Sequence, residues 1–135
     1  MDRPLRIAVA DDEPDIRDYF RRMLPRLGHE VVAVAGDGRE LVEQCRAACP
    51  DLVITDVCMP ELDGAEAAEA VCRERPTPFI LLSAYFGRSR PRCAEGEHFV
   101  GRLGKPIRQA DLLALLGLAR ERCRGREAPS RAVLP

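Results

Sequence analysis

Leu52-Val53-Ile54-Thr55-Asp56-Val57-Cys58-Met59-Pro60-Glu61-Leu62-Asp63-Gly64 is the stretch whose reading decides the fold. Its first four residues are aliphatic or β-branched with little polar alternation, as expected of a strand covered on both faces. An acid, Asp56, closes the run. A loop bearing Pro and Gly then leads to Asp63, a natural N-cap for a helix over 64–75 whose inward residues are Ala65, Ala68, Val71 and Cys72. The unit is strand, acid, loop, helix.

The same alternation extends outward in both directions. Further strand-like runs fall at 5–10, 31–35, 79–83 and, shorter, 100–103. Between them, 15–27 carries Ile16, Tyr19, Phe20, Met23, Leu24 and Leu27 on one helical stripe, ended by Gly28 and weakened in its last turn by Pro25. Asp37-Gly38 opens a helix over 39–48 with Leu41, Val42, Cys45 and possible continuation to Cys49 on its inner face. A last helix over 108–124 is strongly apolar through Leu112, Leu113, Leu115, Leu116 and Leu118, with Asp111 in its first turn. The stretch 87–96 holds two Gly, Pro91 and four charged residues, leaving room only for a short or irregular fourth helix. Strands alternating with helices imply a doubly wound α/β fold, with a parallel sheet covered on both faces. The expected domain spans 1–122, and the Arg-rich remainder, 123–135, reads as a flexible tail.

The chain has 135 residues and a formal net charge of −1. That length buries roughly two thirds of the unfolded surface in one domain. The charge balance offers no general attraction to nucleic acid or to a membrane surface. No apolar run approaches the ~18 residues needed to span a bilayer, and Met1-Asp2-Arg3-Pro4 opens no signal-peptide hydrophobic region. A cytoplasmic protein with no membrane insertion and no direct nucleic-acid contact is expected. The six cysteines lack scaffold-like spacing and read as small buried hydrophobes in a reduced compartment. Cys45 and Cys49, one helical turn apart, have metal-ligand spacing but no second Cys/His pair near them in sequence, so a structural role is the better reading.

The chemistry gathers where strands end. Of the 21 basic residues only Lys105 is a lysine, in Leu103-Gly104-Lys105-Pro106, and against 20 arginines it marks a place for a compact, flexible ammonium. Asp11-Asp12 follows the first run, Asp56 the third and Ser83 closes the fourth. In an open parallel sheet these positions share the carboxyl edge, where ligands bind. Three carboxylates that close to one another need a cation to stay ionised. Hard oxygen donors without His or Cys favour Mg²⁺, with Mn²⁺ as the alternative, over zinc. Asp56 is the candidate nucleophile for a phosphoryl group, with the metal, Lys105, the Ser83 hydroxyl and the Ala84 backbone N–H to neutralise its oxygens.

Asp11-Asp12-Glu13, 55–64, Leu81-Leu82-Ser83-Ala84 and Lys105-Pro106-Ile107 together resemble the receiver domain of two-component response regulators, in order and at suitable spacing over about 5–120. The resemblance implies a flavodoxin-like (βα)5 sheet of strand order 2-1-3-4-5. It makes Asp56 the phosphoacceptor, Asp12 and Asp56 direct metal ligands, Asp11 a ligand through water and the Cys58 carbonyl a further ligand. Ser83 becomes the switch hydroxyl, Lys105 the phosphate-binding lysine, and Pro106 follows a cis peptide. Cys58 and Tyr85 fall where the family tunes dephosphorylation. The implied partners are a histidine kinase or a histidine phosphotransfer protein, and a phosphorylation-dependent homodimer is a further expectation. The tract 103–124 is also similar to the end of receivers that precede antiterminator-type RNA-binding modules, here read as a stand-alone receiver.

One position departs from the family pattern. Three residues before the lysine, where receivers carry Tyr or Phe, stands Arg102. Its charge is expected to point outward or pair with an acid, at a partner-binding surface, with Tyr85, Phe86 or Phe99 as substitutes for the missing ring. The alternative function is a receiver-like adaptor that binds without phosphate. A haloacid-dehalogenase-type phosphatase fits poorly, since its second Asp, two residues after the nucleophile, is Cys58 here.

Overall fold

A computed structural model describes residues 3–84 and 97–133, the stretch 124–133 as helix backbone only. The short helix expected within 87–96, and the aromatic residues Tyr85 and Phe86, lie outside the described residues. The strands are β1 (Arg6–Ala10), β2 (Glu30–Ala35), β3 (Leu52–Asp56), β4 (Phe79–Ser83) and β5 (Phe99–Gly104). The helices are α1 (Pro14–Arg26), α2 (Gly38–Ala48), α3 (Gly64–Glu74) and α4 (Gln109–Val133). All strand pairs are parallel, in the order β2-β1-β3-β4-β5. The α/β flavodoxin-like reading holds.

Alternate residues of each strand serve opposite faces, and the two faces differ in size. On one, Ile7, Val9, Leu52, Ile54, Ile80 and Leu82 pack against α1 and α4 through Phe20, Leu24, Leu112 and Leu116. On the other, the small Ala8, Ala10, Ala33 and Ala35 join Val53 and Leu81 beneath α2 and α3. Local chemistry fixes the helix starts. Asp37 accepts a hydrogen bond from the Glu40 amide at 2.8 Å, and Asp63 and Glu66 form a capping box at α3.

Three expectations shift. In α3 it is Ala67, not Ala65, that is buried with Ala68 and Val71, because the helix begins with Gly64 pressed on the sheet and its period carries 64, 67, 68 and 71 inward. In α4, Leu112, Leu116 and Ala119 are buried while Leu113 and Leu118 are exposed, since a single helix can bury only one stripe on this sheet. The last helix, read over 108–124, runs to Val133, through a stretch rich in the helix formers Arg, Glu and Ala.

Gly64 is required by close approach. A Cβ there would overlap the carbonyl of Asp56, so α3 can lie against the end of β3 only with glycine at this position.

Candidate functional site

Each strand delivers its residue to the carboxyl edge by backbone pairing. The Asp11 amide donates to the Ala35 carbonyl at 3.1 Å, the Val57 amide to Leu82 at 3.0 Å and the Lys105 amide to Ser83 at 3.1 Å. Asp11 and Asp56 are buried, Asp12 and Glu13 exposed. The ligand atoms of these four carboxylates lie within 4.8 Å of one another.

Lys105 joins them. Its Nζ lies 2.9 Å from Asp11 Oδ2, 3.1 Å from Asp56 Oδ2 and 3.1 Å from Glu13 Oε1. The last two contacts are hydrogen bonds. The first is an ion pair without hydrogen-bond alignment, so the fully buried Asp11 Oδ2 retains an unfilled acceptor. Asp11 Oδ1 accepts from the Glu13 amide at 2.9 Å, and Asp56 Oδ1 from the Cys58 amide at a long 3.4 Å. The Lys105–Pro106 peptide is cis.

The charges are crowded. Burial pushes the Asp11 carboxyl above the ordinary range, against the lowering effect of the Glu13 amide and Lys105. Burial does the same to Asp56, again opposed by Lys105, while Asp12 adds to the rise. Burial works against the charge on Lys105, but Asp11, Asp56 and Glu13 outweigh it and hold its pKa above the ordinary value. One ammonium serves three carboxylates, and the buried Asp11 Oδ2 is left without a hydrogen-bond partner among the described residues. The unfilled Asp11 oxygen and the all-oxygen donor set fit a hard divalent cation.

Asp11, Asp12, Asp56 and Lys105 are therefore brought together as the sequence implied. Ser83 ends β4 beside Gly104 of β5, partly buried, and Ala84 follows it, exposed. Cys58 is exposed beyond β3, its amide engaged with Asp56. The reading missed Glu13 as a partner of Lys105; its place in an unbroken acidic run at the start of α1 was the available signal.

Arg102 is corrected. It pairs with Leu81 across β4 and is half-buried rather than turned to solvent. Its Nη2 is enclosed and has no hydrogen-bond partner among the described residues. Phe99 does not replace the missing ring: it begins β5, at the far end from Lys105, with its ring centroid 5.7 Å from that of Phe79.

Comparison with known proteins places this geometry. The family model described as "response regulator receiver domain" matches residues 7–117. Transcriptional regulatory protein PdtaR of Mycobacterium tuberculosis is 39% identical over 121 residues, covering 90% of this chain. The chain spans only 59% of that protein's length. An uncharacterised 14.6 kDa protein of Leptolyngbya boryana is 37% identical, with 87% of this chain and 88% of that one covered. Among solved structures, the signal receiver domain of the response regulator NarL from Mycobacterium tuberculosis is similar with a TM-score of 0.76 and 31% identity, over 87% of this chain and 98% of that one. A response regulator receiver domain protein from Clostridium thermocellum gives a TM-score of 0.80 at 28% identity, over 89% and 97% of the two chains.

Proposed function

The chain belongs to the response regulator receiver domain family, and from that premise we propose that Asp56 accepts a phosphoryl group from the phosphohistidine of a histidine kinase or histidine phosphotransfer protein. The observation that carries this reading is the Lys105 ammonium held 3.1 Å from Asp56 Oδ2 beside the buried, incompletely satisfied Asp11.

One Asp56 carboxylate oxygen attacks phosphorus in line, the P–N bond breaks, and the leaving imidazole keeps the electron pair. Lys105 follows the developing charge. Its contact with Asp56 Oδ2 gives way to one with a phosphoryl oxygen, while Asp11 and Glu13 keep the ammonium protonated and aimed. Ser83 and the Ala84 N–H lie at the end of the neighbouring strand to receive a second oxygen. Asp11, Asp12 and Asp56, with the Cys58 carbonyl, would hold Mg²⁺ or Mn²⁺. When bound, the ion supplies charge neutralisation to the carboxylates and the transferred group.

The output is a changed protein-binding surface, in a signalling module of the cytoplasm and not a free-standing enzyme. Among the described residues no helix is long and apolar enough to cross a membrane. Whether the phosphorylated chain forms a homodimer is read by light scattering with and without a phosphoryl mimic.

The test is labelling of the full chain with acetyl phosphate, read as the mass gain of one phosphoryl group. A gain that requires both Mg²⁺ and Asp56, and is absent in Asp56→Ala, is expected. Absence of uptake from acetyl phosphate and from a phosphorylated histidine donor would instead support an adaptor that works without phosphate.

A further inference from the structure

The start of α1 differs from the starts of α2 and α3. Asp37 and Asp63 cap those helices with their side chains. Glu13, at the same position before α1, makes no side-chain cap among the described residues, and its carboxylate lies 3.1 Å from Lys105 instead. The turn that carries Asp11 and Asp12 is therefore fixed by other means.

Arg17, half-buried one turn into α1, supplies them. Its backbone amide donates to the Glu13 carbonyl at 3.2 Å, and its Nη1 donates to the Asp11 carbonyl at 2.8 Å. One residue thus holds the chain on either side of Asp12, the exposed aspartate of the acidic cluster. The guanidinium lies against the turn after β2, where a Cβ on Gly36 would sit 3.4 Å from Nη1. Asp11 is then anchored at three points. Its amide donates to Ala35, its Oδ1 accepts from the Glu13 amide and its carbonyl accepts from Arg17. Oδ2 alone is left over, buried and without a hydrogen bond among the described residues.

On an inference that rests on the reading of this cluster as a receiver's metal site, we propose that Arg17 is a positioning residue for the divalent cation: it holds the Asp11–Glu13 turn in the shape that brings Asp11 and Asp12 to the ion. Ordering that turn in advance removes a cost from binding. The charge on Arg17 works against the role, since a guanidinium repels a cation. The two contributions have opposite signs. Acting through charge alone, Arg17 would weaken metal binding, and its removal would tighten it. Acting through the turn, it strengthens binding, and its removal loosens the ion.

The experiment is a titration of the full chain with Mn²⁺, following the free ion by electron paramagnetic resonance, with urea unfolding of each variant alongside. The wild type is expected to bind one Mn²⁺ per chain, displaced by excess Mg²⁺. Arg17→Met keeps an aliphatic stem but no donor, and should bind Mn²⁺ roughly tenfold more weakly. Arg17→Gln keeps a donor without the charge and should fall between the two; it decides the matter if Arg17→Met does not fold. Arg21→Met removes the same charge one turn further along, from an exposed pair with Asp18, and should bind as the wild type does. A role in stability alone would lower the urea midpoint and leave the affinity of the folded protein unchanged. Unchanged or tighter binding in the folded Arg17 variants, or equal weakening in Arg21→Met, would overturn the positioning role while leaving the metal site in place. A wild type that takes up no Mn²⁺ would overturn the metal site itself, and the role with it.

Discussion

At the carboxyl ends of β1 and β3, Asp11 and Asp56 are buried as acids that share one ammonium. At the amino ends of the strands, the buried polar side chains are His29 and Thr77, both neutral and both hydrogen-bonded. His29 Nδ1 accepts from the Leu5 amide at 3.0 Å, and Thr77 Oγ1 donates to the Arg75 carbonyl at 2.8 Å. The same sheet thus ends in a satisfied edge and in an edge where charge is crowded. Under the proposed function, the crowded arrangement stands where the phosphoryl chemistry would take place.

The comparison breaks most severely if the carboxyl edge is pushed apart. Gly64→Ala places a methyl group on the Asp56 carbonyl, and we expect a loss of about 3 kcal/mol in urea unfolding together with impaired phosphoryl uptake. If Gly64→Ala unfolds like the wild type, α3 does not pin the end of β3.

Relief of the crowding should act in the opposite direction. Asp56→Asn removes a buried charge whose pKa burial raises, while Lys105 keeps Asp11 and Glu13 as partners. In metal-free buffer we expect the variant to be more stable by roughly 1 kcal/mol and to lose phosphoryl uptake entirely. A destabilised Asp56→Asn would mean that the carboxylates are adequately neutralised by Lys105 alone. The pH dependence has a definite sign. Asp11 and Asp56 have native pKa values raised above 3.8, so their share of stability is present below that pH and is lost as pH rises through the raised values.

Arg102, three residues before Lys105, adds an enclosed polar atom. Its enclosed Nη2 lacks a hydrogen-bond partner among the described residues, so Arg102→Met should stabilise the domain by about 1 kcal/mol in the same assay. A loss of similar size would show that the guanidinium is well paired in solution.

The two edges were unequally legible in the sequence. Runs such as Leu52-Val53-Ile54-Thr55 announce buried parallel strands, and acids closing them announce the carboxyl edge, because both signals are local. Glu13 as a partner of Lys105 and the enclosed Nη2 of Arg102 depend on which strands and helices become neighbours. The left-handed cap at Cys49 carries no sequence mark either, since Gly or Asn is the usual residue in that conformation. The burial of His29 was equally silent: it follows Gly28, whose φ of 89° turns the chain into β2 and brings the imidazole under Leu5.

The smallest expected effect sharpens the contrast, because it has the opposite slope. Burial and then the Arg120 charge lower the pKa of His29 below 6.5. The Leu5 amide already donates to Nδ1, so a proton there would set two donors against each other. A depressed native pKa means that the unfolded chain binds the proton first. The contribution of His29 is therefore complete above about pH 6.5 and is lost as pH falls from there toward the native value. Between pH 7.5 and 5.5, the wild type should lose stability in urea by more than His29→Gln does, since glutamine offers an acceptor to Leu5 but no proton to take up. Equal losses in the two proteins would assign the acid sensitivity elsewhere.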